Sequence, residues 1–203
     1  MTSSLPAGLR ERKKAKTRAA IREHALRLFD QQGYAATTVD QIAEAAEISP
    51  STFFRYFPTK EDVVLTDDYD APMLEAMRTQ PPEIHPAAAL RGAFRQVFSS
   101  ITQAEWDLER RRQRLVYSVP ELQARAMQQY ATMIGLVGAV VAERAGLSED
   151  DFSARVMAGA LIGAALAAYP HGMTARVEVD DVDRMSRALE LLEAGLPLGP
   201  AEA

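Results

Sequence analysis

The sequence predicts an all-α protein, and three observations carry that prediction. Apolar residues recur three and four apart along most of the chain, the spacing of one helix face. Helix start and stop signals fall in the gaps between those stretches. No alternating apolar–polar run bounded by turn residues is strong enough to make a strand. Together they give about nine helices over the 203 residues.

Residues 1–9 carry no periodic pattern and read as a flexible tail. From Arg10 to Gln32, Ile21, Ala25, Leu28 and Phe29 mark a first helix, and Gly33 is its natural left-handed stop. Thr38 with Gln41 makes a capping box for a short second helix striped by Val39, Ile42, Ala43 and Ala46. Ser49 then Pro50 fit the N-cap and first helical position of a third helix through Tyr56. Thr59-Lys60-Glu61-Asp62 opens a longer fourth helix, ended near residue 80 by Pro81-Pro82 and Pro86. Further helices are expected over Ala87–Ala104, Trp106–Tyr117 and Pro120–Ala145, the last stopped by Gly146. Ser148-Glu149-Asp150-Asp151 opens one that ends near Pro170, and Asp180–Ala194 is the last.

Composition narrows the functional classes. The chain has no cysteine, so disulfides and thiolate metal sites are excluded. Met1 is followed by polar residues and charge, so no secretory signal is expected and a cytoplasmic location is. The longest apolar run, Val156–Tyr169, is shorter than the ~20 residues that cross a membrane. Net charge is −5, but residues 1–60 hold ten Lys and Arg against six Asp and Glu. An acidic chain with a basic end can attract phosphate locally, because that attraction follows local charge. His24, His85 and His171 are scattered without metal-ligand spacing, and no glycine-rich phosphate loop is present, so neither an enzyme nor a cofactor is expected.

The second and third helices suit reading a DNA groove. A short helix can lie in the major groove if another braces it across the backbone. Ala43, Ala45 and Ala46 allow close approach of the brace. Phe53 and Phe57, four apart, form the inner face of the reading helix. Ser49, Ser51, Thr52, Phe54, Arg55 and Tyr56 are left outside, with hydroxyls for phosphate or base edges and a guanidinium for phosphate or guanine. Lys60 stands at a helix start, where free N–H groups already favour phosphate. Arg10, Arg12, Lys13, Lys14, Lys16, Arg18, Arg22 and Arg27 add a basic run beside this reader. The alternatives are a helix–turn–helix that only packs, or an all-helical dimeric adaptor that never touches DNA.

Residues 17–65 resemble the DNA-binding domain of TetR-family transcriptional regulators. The resemblance is carried in order by Ile21, Ala25, Phe29, Gly33-Tyr34, Thr38-Val39, Ile42-Ala43, Ile48-Ser49, Thr52-Phe53-Phe54, Tyr56-Phe57 and Lys60-Glu61. It implies that Thr38, Ser49, Ser51, Thr52, Phe54, Arg55, Tyr56 and Lys60 face DNA. Glu47 stands where the family usually has Gly, and Phe54 where it usually has Tyr. The implied organisation is a three-helix DNA-binding domain over 10–65, a ligand-binding and dimerisation domain over 66–195, and a tail over 196–203. The implied function is a homodimeric repressor released from a palindromic operator by a small molecule.

The resemblance further implies that the last two long helices form the dimer seam. Gly159, Gly163 and Ala167 make a small-residue stripe on one, and Met185, Leu189 and Leu192, following Val182, an apolar stripe on the other. The alternative is that both stripes are core of a single chain. A hydrophobic or amphipathic effector would sit among the middle helices. The candidate lining comprises the aromatics Phe94, Phe98, Trp106 and Tyr130, with Ile101, Leu115, Met127, Met133 and Ile134. The stretch PELQARAMQQY at 120–130 is similar to regulators related to the mycofactocin regulator, some of which respond to acyl-coenzyme A. Arg110, Arg111, Arg112 and Arg114 would then hold an acidic headgroup, or else pair with Glu105, Asp107 and Glu109.

Overall fold

The computed structural model describes residues 7–66, 68–99, 101–168 and 180–197, and among them every regular element is a helix. There are ten: α1 (Ala7–Gln32), α2 (Val39–Ala45), α3 (Pro50–Tyr56), α4 (Lys60–Leu65), α5 (Asp70–Arg78), α6 (Pro86–Phe98), α7 (Gln103–Ser118), α8 (Pro120–Ala145), α9 (Phe152–Ala168) and α10 (Asp180–Glu193). Backbone contacts group them into two compact units. One comprises residues 1–66 with 107–123, the other 67–106 with 124–203. The division after residue 66 falls beside the boundary expected at 65, while most of α7, from the expected second domain, groups with the N-terminal helices.

In the N-terminal unit, α1 buries Ile21, Ala25, Leu26 and Phe29, while Arg12, Lys13, Lys14 and Lys16 on its first turns are exposed. Gly33 ends it at φ 84°, its N–H bonding the Phe29 carbonyl at 2.9 Å. Gln32 Nε2 then donates to Thr37 Oγ1 and Gln41 Oε1, tying the end of α1 to the start of α2. α4 opens with the expected box: the Thr59 N–H donates to the Asp62 carboxylate and the Asp62 N–H to the Thr59 hydroxyl.

The longer fourth helix does not form. α4 stops at Leu65, and Thr66 leaves the helix with ψ 123°. The reason lies in two arginines distant in sequence. Helix ends leave carbonyls without partners. Here Arg22 Nε donates to Val63 O at 3.1 Å, its terminal nitrogen to Thr66 O at 2.8 Å, and Arg112 to Val64 O at 2.9 Å. A separate helix, α5, follows, which raises the count above the nine expected.

Arg112 is itself buried and held by Glu109, whose carboxylate accepts from Arg112 Nε at 2.8 Å. Burial alone would raise the Glu109 carboxyl. The opposing charge and hydrogen bonds of Arg112, a bond from Gln113 and the charge of Arg22 reverse that, holding it below its ordinary value.

The C-terminal unit is built on apolar packing. α5 packs on α6, and α10 on both α6 and α9. The core gathers Met77, Leu90 and Phe94 with Val137, Val140 and Val141 of α8, Ala158 and Leu161 of α9, and Met185 and Leu189 of α10. Each large side chain buried this way stabilises by roughly 1.5–3 kcal/mol. The turn after α5 is pinned by Arg144, which donates to the carbonyls of Met77, Gln80 and Pro81 at 2.9, 2.6 and 2.6 Å. α6 ends at Phe98, short of Ala104, because Thr102 and Glu105 form a capping box that starts α7. That box also lowers the Glu105 carboxyl, through hydrogen bonds from the Thr102 hydroxyl and N–H.

Candidate nucleic-acid interface and apolar cavity

The reading elements are set by caps. Thr38 accepts from the Gln41 N–H, and Gln41 Oε1 accepts from the Thr38 N–H at 2.9 Å, which starts α2. Ser49 does the same for α3, accepting from the Thr52 N–H at 3.1 Å with Pro50 in the first turn. The Ser49 hydroxyl also lies 2.9 Å from those of Ser51 and Thr52, so three hydroxyls share one exposed corner.

Between the helices the chain makes a Schellman turn. The Ile48 N–H bonds Ala43 O at 2.9 Å and the Glu47 N–H bonds Glu44 O at 3.0 Å, with Glu47 at φ 54°. Glycine is usual there because it lacks a Cβ. The turn thus keeps its hydrogen bonds despite the glutamate, and the departure is absorbed as local strain. The same turn ends α8, where Gly146 takes φ 67°.

Phe53 and Phe57 are fully buried, their rings 5.9 Å apart, and fix α3 from beneath. The Arg18 guanidinium lies 4.7 Å from the Phe57 ring centroid and that of Arg22 5.8 Å. Both arginines of the basic run are thereby turned inward. Outward, Phe54 is 51% exposed, a conspicuous apolar side chain on a polar face, and Arg55 is exposed with its guanidinium 5.5 Å from the Tyr56 ring. Thr38, Ser49 and Ser51 are exposed, Thr52 and Tyr56 half-buried.

Lys60 departs from the expectation. Its ammonium donates to Tyr34 O at 2.9 Å and Thr37 O at 3.1 Å, and sits 4.1 Å from the Tyr34 ring centroid. An ammonium has three donors. Two are engaged in holding the α1–α2 turn, so Lys60 is first a staple. Nothing in its sequence context marks it as one, since its acceptors lie more than 20 residues earlier.

In the C-terminal unit, α5, α6, α8, α9 and α10 line a half-open apolar cavity of about 170 Å³. One wall is aromatic. Phe94 and Phe98 stack at 4.3 Å, Tyr69 lies 5.2 Å from Phe98, and Trp106 stacks behind Phe98 at 5.2 Å. Met73, Met133 and Met185 contribute the flexible lining, and among the described residues Asp70 is the one charged residue in it.

Of the residues expected to line a pocket, Phe94, Phe98 and Met133 do. Trp106 stands one ring behind the wall. α8 presents Met133 and Val137 to the cavity, four apart, which turns Met127 to solvent at 64% exposure. Ile134 packs against the core, Ile101 and Tyr130 are half-buried outside the lining, and Leu115 belongs to the N-terminal unit. The contribution of α5 is not expected from the sequence, which predicts one long helix where α4 and α5 are separate. The signal available was Met73 and Met77, four apart, just after Asp70.

The two seam stripes also separate. Met185 and Leu189 are buried in the chain's own core and Leu192 packs half-buried against it, the placement that the single-chain alternative expects. Val182 lies outside the residues whose side chains are described. On α9, Gly163 and Ala167 are exposed and Gly159 half-exposed, continuing a face with Val156 and Phe152, which are 54% and 79% exposed. Three of the four clustered arginines are paired: Arg110 with Asp107 at 3.1 Å, Arg111 with Asp30 at 3.9 Å and Arg112 with Glu109. Among the described residues no helix is long and apolar enough to cross a membrane.

Comparisons with known proteins agree with this layout. Residues 21–66 match the family model described as bacterial regulatory proteins, tetR family, and residues 84–197 match the one described as the MftR C-terminal domain. The chain is 40% identical to the HTH-type transcriptional regulator TcmR of Streptomyces glaucescens, over 73% of this chain and 69% of that protein. It is 30% identical to MftR of Mycobacterium tuberculosis, named as the candidate transcriptional regulator of mycofactocin biosynthesis, over 91% of this chain and 93% of that one. Among solved structures it is similar to Thermus thermophilus FadR, a TetR-family repressor in complex with lauroyl-CoA. The TM-score is 0.52 at 27% identity, covering 92% of this chain and 98% of that one.

Proposed function

The chain belongs to the tetR family of bacterial regulatory proteins, and on that premise we propose a cytoplasmic homodimeric repressor that a small molecule releases from a palindromic operator. As a member of that family it is a DNA-binding transcriptional regulator and not an enzyme. The observation that carries the proposal is the α2–turn–α3 unit: buried phenylalanines beneath, and capping hydroxyls, Phe54 and Arg55 above. α3 enters the major groove. Thr38, Ser49, Ser51, Thr52 and Tyr56 meet phosphate or base edges, Arg55 meets guanine or phosphate, and Phe54 meets a thymine methyl. Lys60 braces the turn, with at most one donor for phosphate. The exposed basic residues of α1 add attraction without sequence preference.

The exposed face of α9, with Gly159, Gly163 and Ala167, is the seam that pairs two copies. Their reading helices then span half-sites ~34–36 Å apart. An effector in the cavity lowers DNA affinity to the extent that it binds one conformation better than the other. The acyl-coenzyme A reading is favoured by the lauroyl-CoA complex of the similar FadR. A coenzyme A headgroup on Arg110, Arg111 and Arg112 is not, because their guanidiniums already face carboxylates.

Fluorescence anisotropy on an operator selected from genomic fragments tests the interface. Arg55→Ala is expected to weaken binding by roughly 10- to 100-fold, the cost of one lost bidentate base contact; unchanged affinity would sink the assignment. Gly163→Leu tests the seam cleanly, because a Cβ there meets no neighbouring atom within 4 Å in the chain itself. Sedimentation should show monomer, and a persistent dimer would refute that seam.

A further inference from the structure

We infer that residues 7–16, the leading turns of α1, form a basic helical arm that grips the phosphates of duplex DNA outside the half-site read by α3. The inference rests on reading α3 as the groove reader and adds a second contact beyond it, indifferent to sequence. The segment holds five Lys and Arg against one Glu. Leu9 and residues 12–16 are all exposed. Lys14 shares a helix face with Ile21 and Ala25, seven and eleven residues on, and both of those are buried. That face is covered at Ile21 and bare at Lys14, so α1 overhangs the bundle it helps to build.

The overhang starts beside the reader. One turn after Lys14, the Arg18 guanidinium lies 4.7 Å from the ring centroid of Phe57, which caps the C-terminal end of α3. One turn further, Arg22 is buried and donates to Val63 O and Thr66 O at the end of α4. The basic run therefore divides at Arg18, with the later arginines engaged inside the unit and the earlier cations clear of it. Their arrangement works against the helix in isolation. A helix start favours carboxylates, yet the first turn of α1 has none. Arg12 with Lys16, and Lys13 with Lys16, are like-charge neighbours four and three apart, which repel. A polyanion laid along the arm relieves both penalties, and the phosphate backbone is one. Ten helical residues span ~15 Å, the length of about four to five base pairs.

Anisotropy with the full-length protein would compare two operator duplexes. One is trimmed to the outer edges of the half-sites, and the other carries about six further base pairs at each end, in two unrelated sequences. Wild type is expected to bind the flanked duplex more tightly, equally for both flanks. Two phosphate contacts have a log–log salt slope of about 1.8, so the advantage should be about 10-fold larger at ~50 mM than at ~200 mM salt. Arg12→Gln, Lys13→Gln, Lys14→Gln and Lys16→Gln combined keep good helix formers. That variant should lose the advantage while binding the trimmed duplex within about threefold of wild type. No advantage in wild type, one that varies with flank sequence, or one that survives the variant overturns the inference. An equal loss on both duplexes overturns it too, because the arm then touches DNA inside the half-site. A flank advantage that follows the arm's charge while Arg55→Ala changes nothing upholds the arm and overturns the α3 reading. Weakened binding by Arg55→Ala without a flank advantage does the reverse, and no binding to either duplex overturns both.

Discussion

The two units are held together by different chemistry. In the N-terminal unit, long side chains reach across sequence to helix ends: Arg22 and Arg112 to the carbonyls of α4, and Lys60 to those of Tyr34 and Thr37. Those bonds are directional, and each has one satisfactory geometry. The C-terminal unit has one such clasp, Arg144 on the carbonyls after α5, and otherwise rests mainly on alanine, valine and leucine packed beside a pocket, contacts that tolerate small displacements. A groove reader must present its side chains in fixed register, whereas a sensor must accommodate a guest. The division of bonding follows that division of labour.

Removing one partner of a buried ion pair breaks the comparison most severely. Arg112→Ala leaves buried Glu109 without its hydrogen-bonded cation, with only the charge of Arg22 nearby, and Val64 O without its Arg112 donor. The expected loss is about 3–5 kcal/mol, measured by urea unfolding. Met133→Leu, a volume-conserving change in the other unit, should cost less than about 1.5 kcal/mol. Equal losses would show that the two units do not differ in this way.

Acid sharpens the same contrast. The Glu109 carboxyl is lowered by folding, so its contribution is present above the ordinary glutamate value, about 4.3, and is lost as pH falls through the folded value. Between pH 5 and 3, wild type should therefore lose more stability than Glu109→Gln, as read by thermal melts. Parallel curves would remove Glu109 from the account.

The smallest expected effect is a gain. Glu47→Gly relieves a left-handed backbone carrying a side chain, and should stabilise by about 1 kcal/mol. A lower melting temperature would mean that the glutamate side chain supplies more than the turn costs.

Much of the N-terminal unit was legible because its signals are local. Thr38 with Gln41, Ser49 with Pro50 and Thr59 with Asp62 each announce a helix start within four residues, and Phe53 with Phe57 announce an inner face. What escaped were long-range polar contacts. Arg22, Arg112 and Lys60 look like ordinary surface charge until folding brings carbonyls to them. The cavity was half legible for a related reason: helical spacing identifies apolar faces but does not say which face meets a void. Phe94, Phe98 and Met133 line the cavity as their spacing suggests, α5 adds lining that the spacing does not announce, and Met185 and Leu189 lie in the chain's own core.

The arginine caps on α4 have a consequence for how the chain is made. Residues 1–66 contain all of the groove-reading apparatus, yet Arg112 and the buried Val116 and Leu122 belong to the same unit. A ribosome reaches residue 123 only after adding 57 more residues, a delay of roughly 3–11 s at ordinary synthesis rates. During that interval the Val64 carbonyl waits for its donor, and the nascent reader is an incomplete body. The complete N-terminal unit therefore arrives only when two of the five helices of the C-terminal unit, α5 and α6, have already been made.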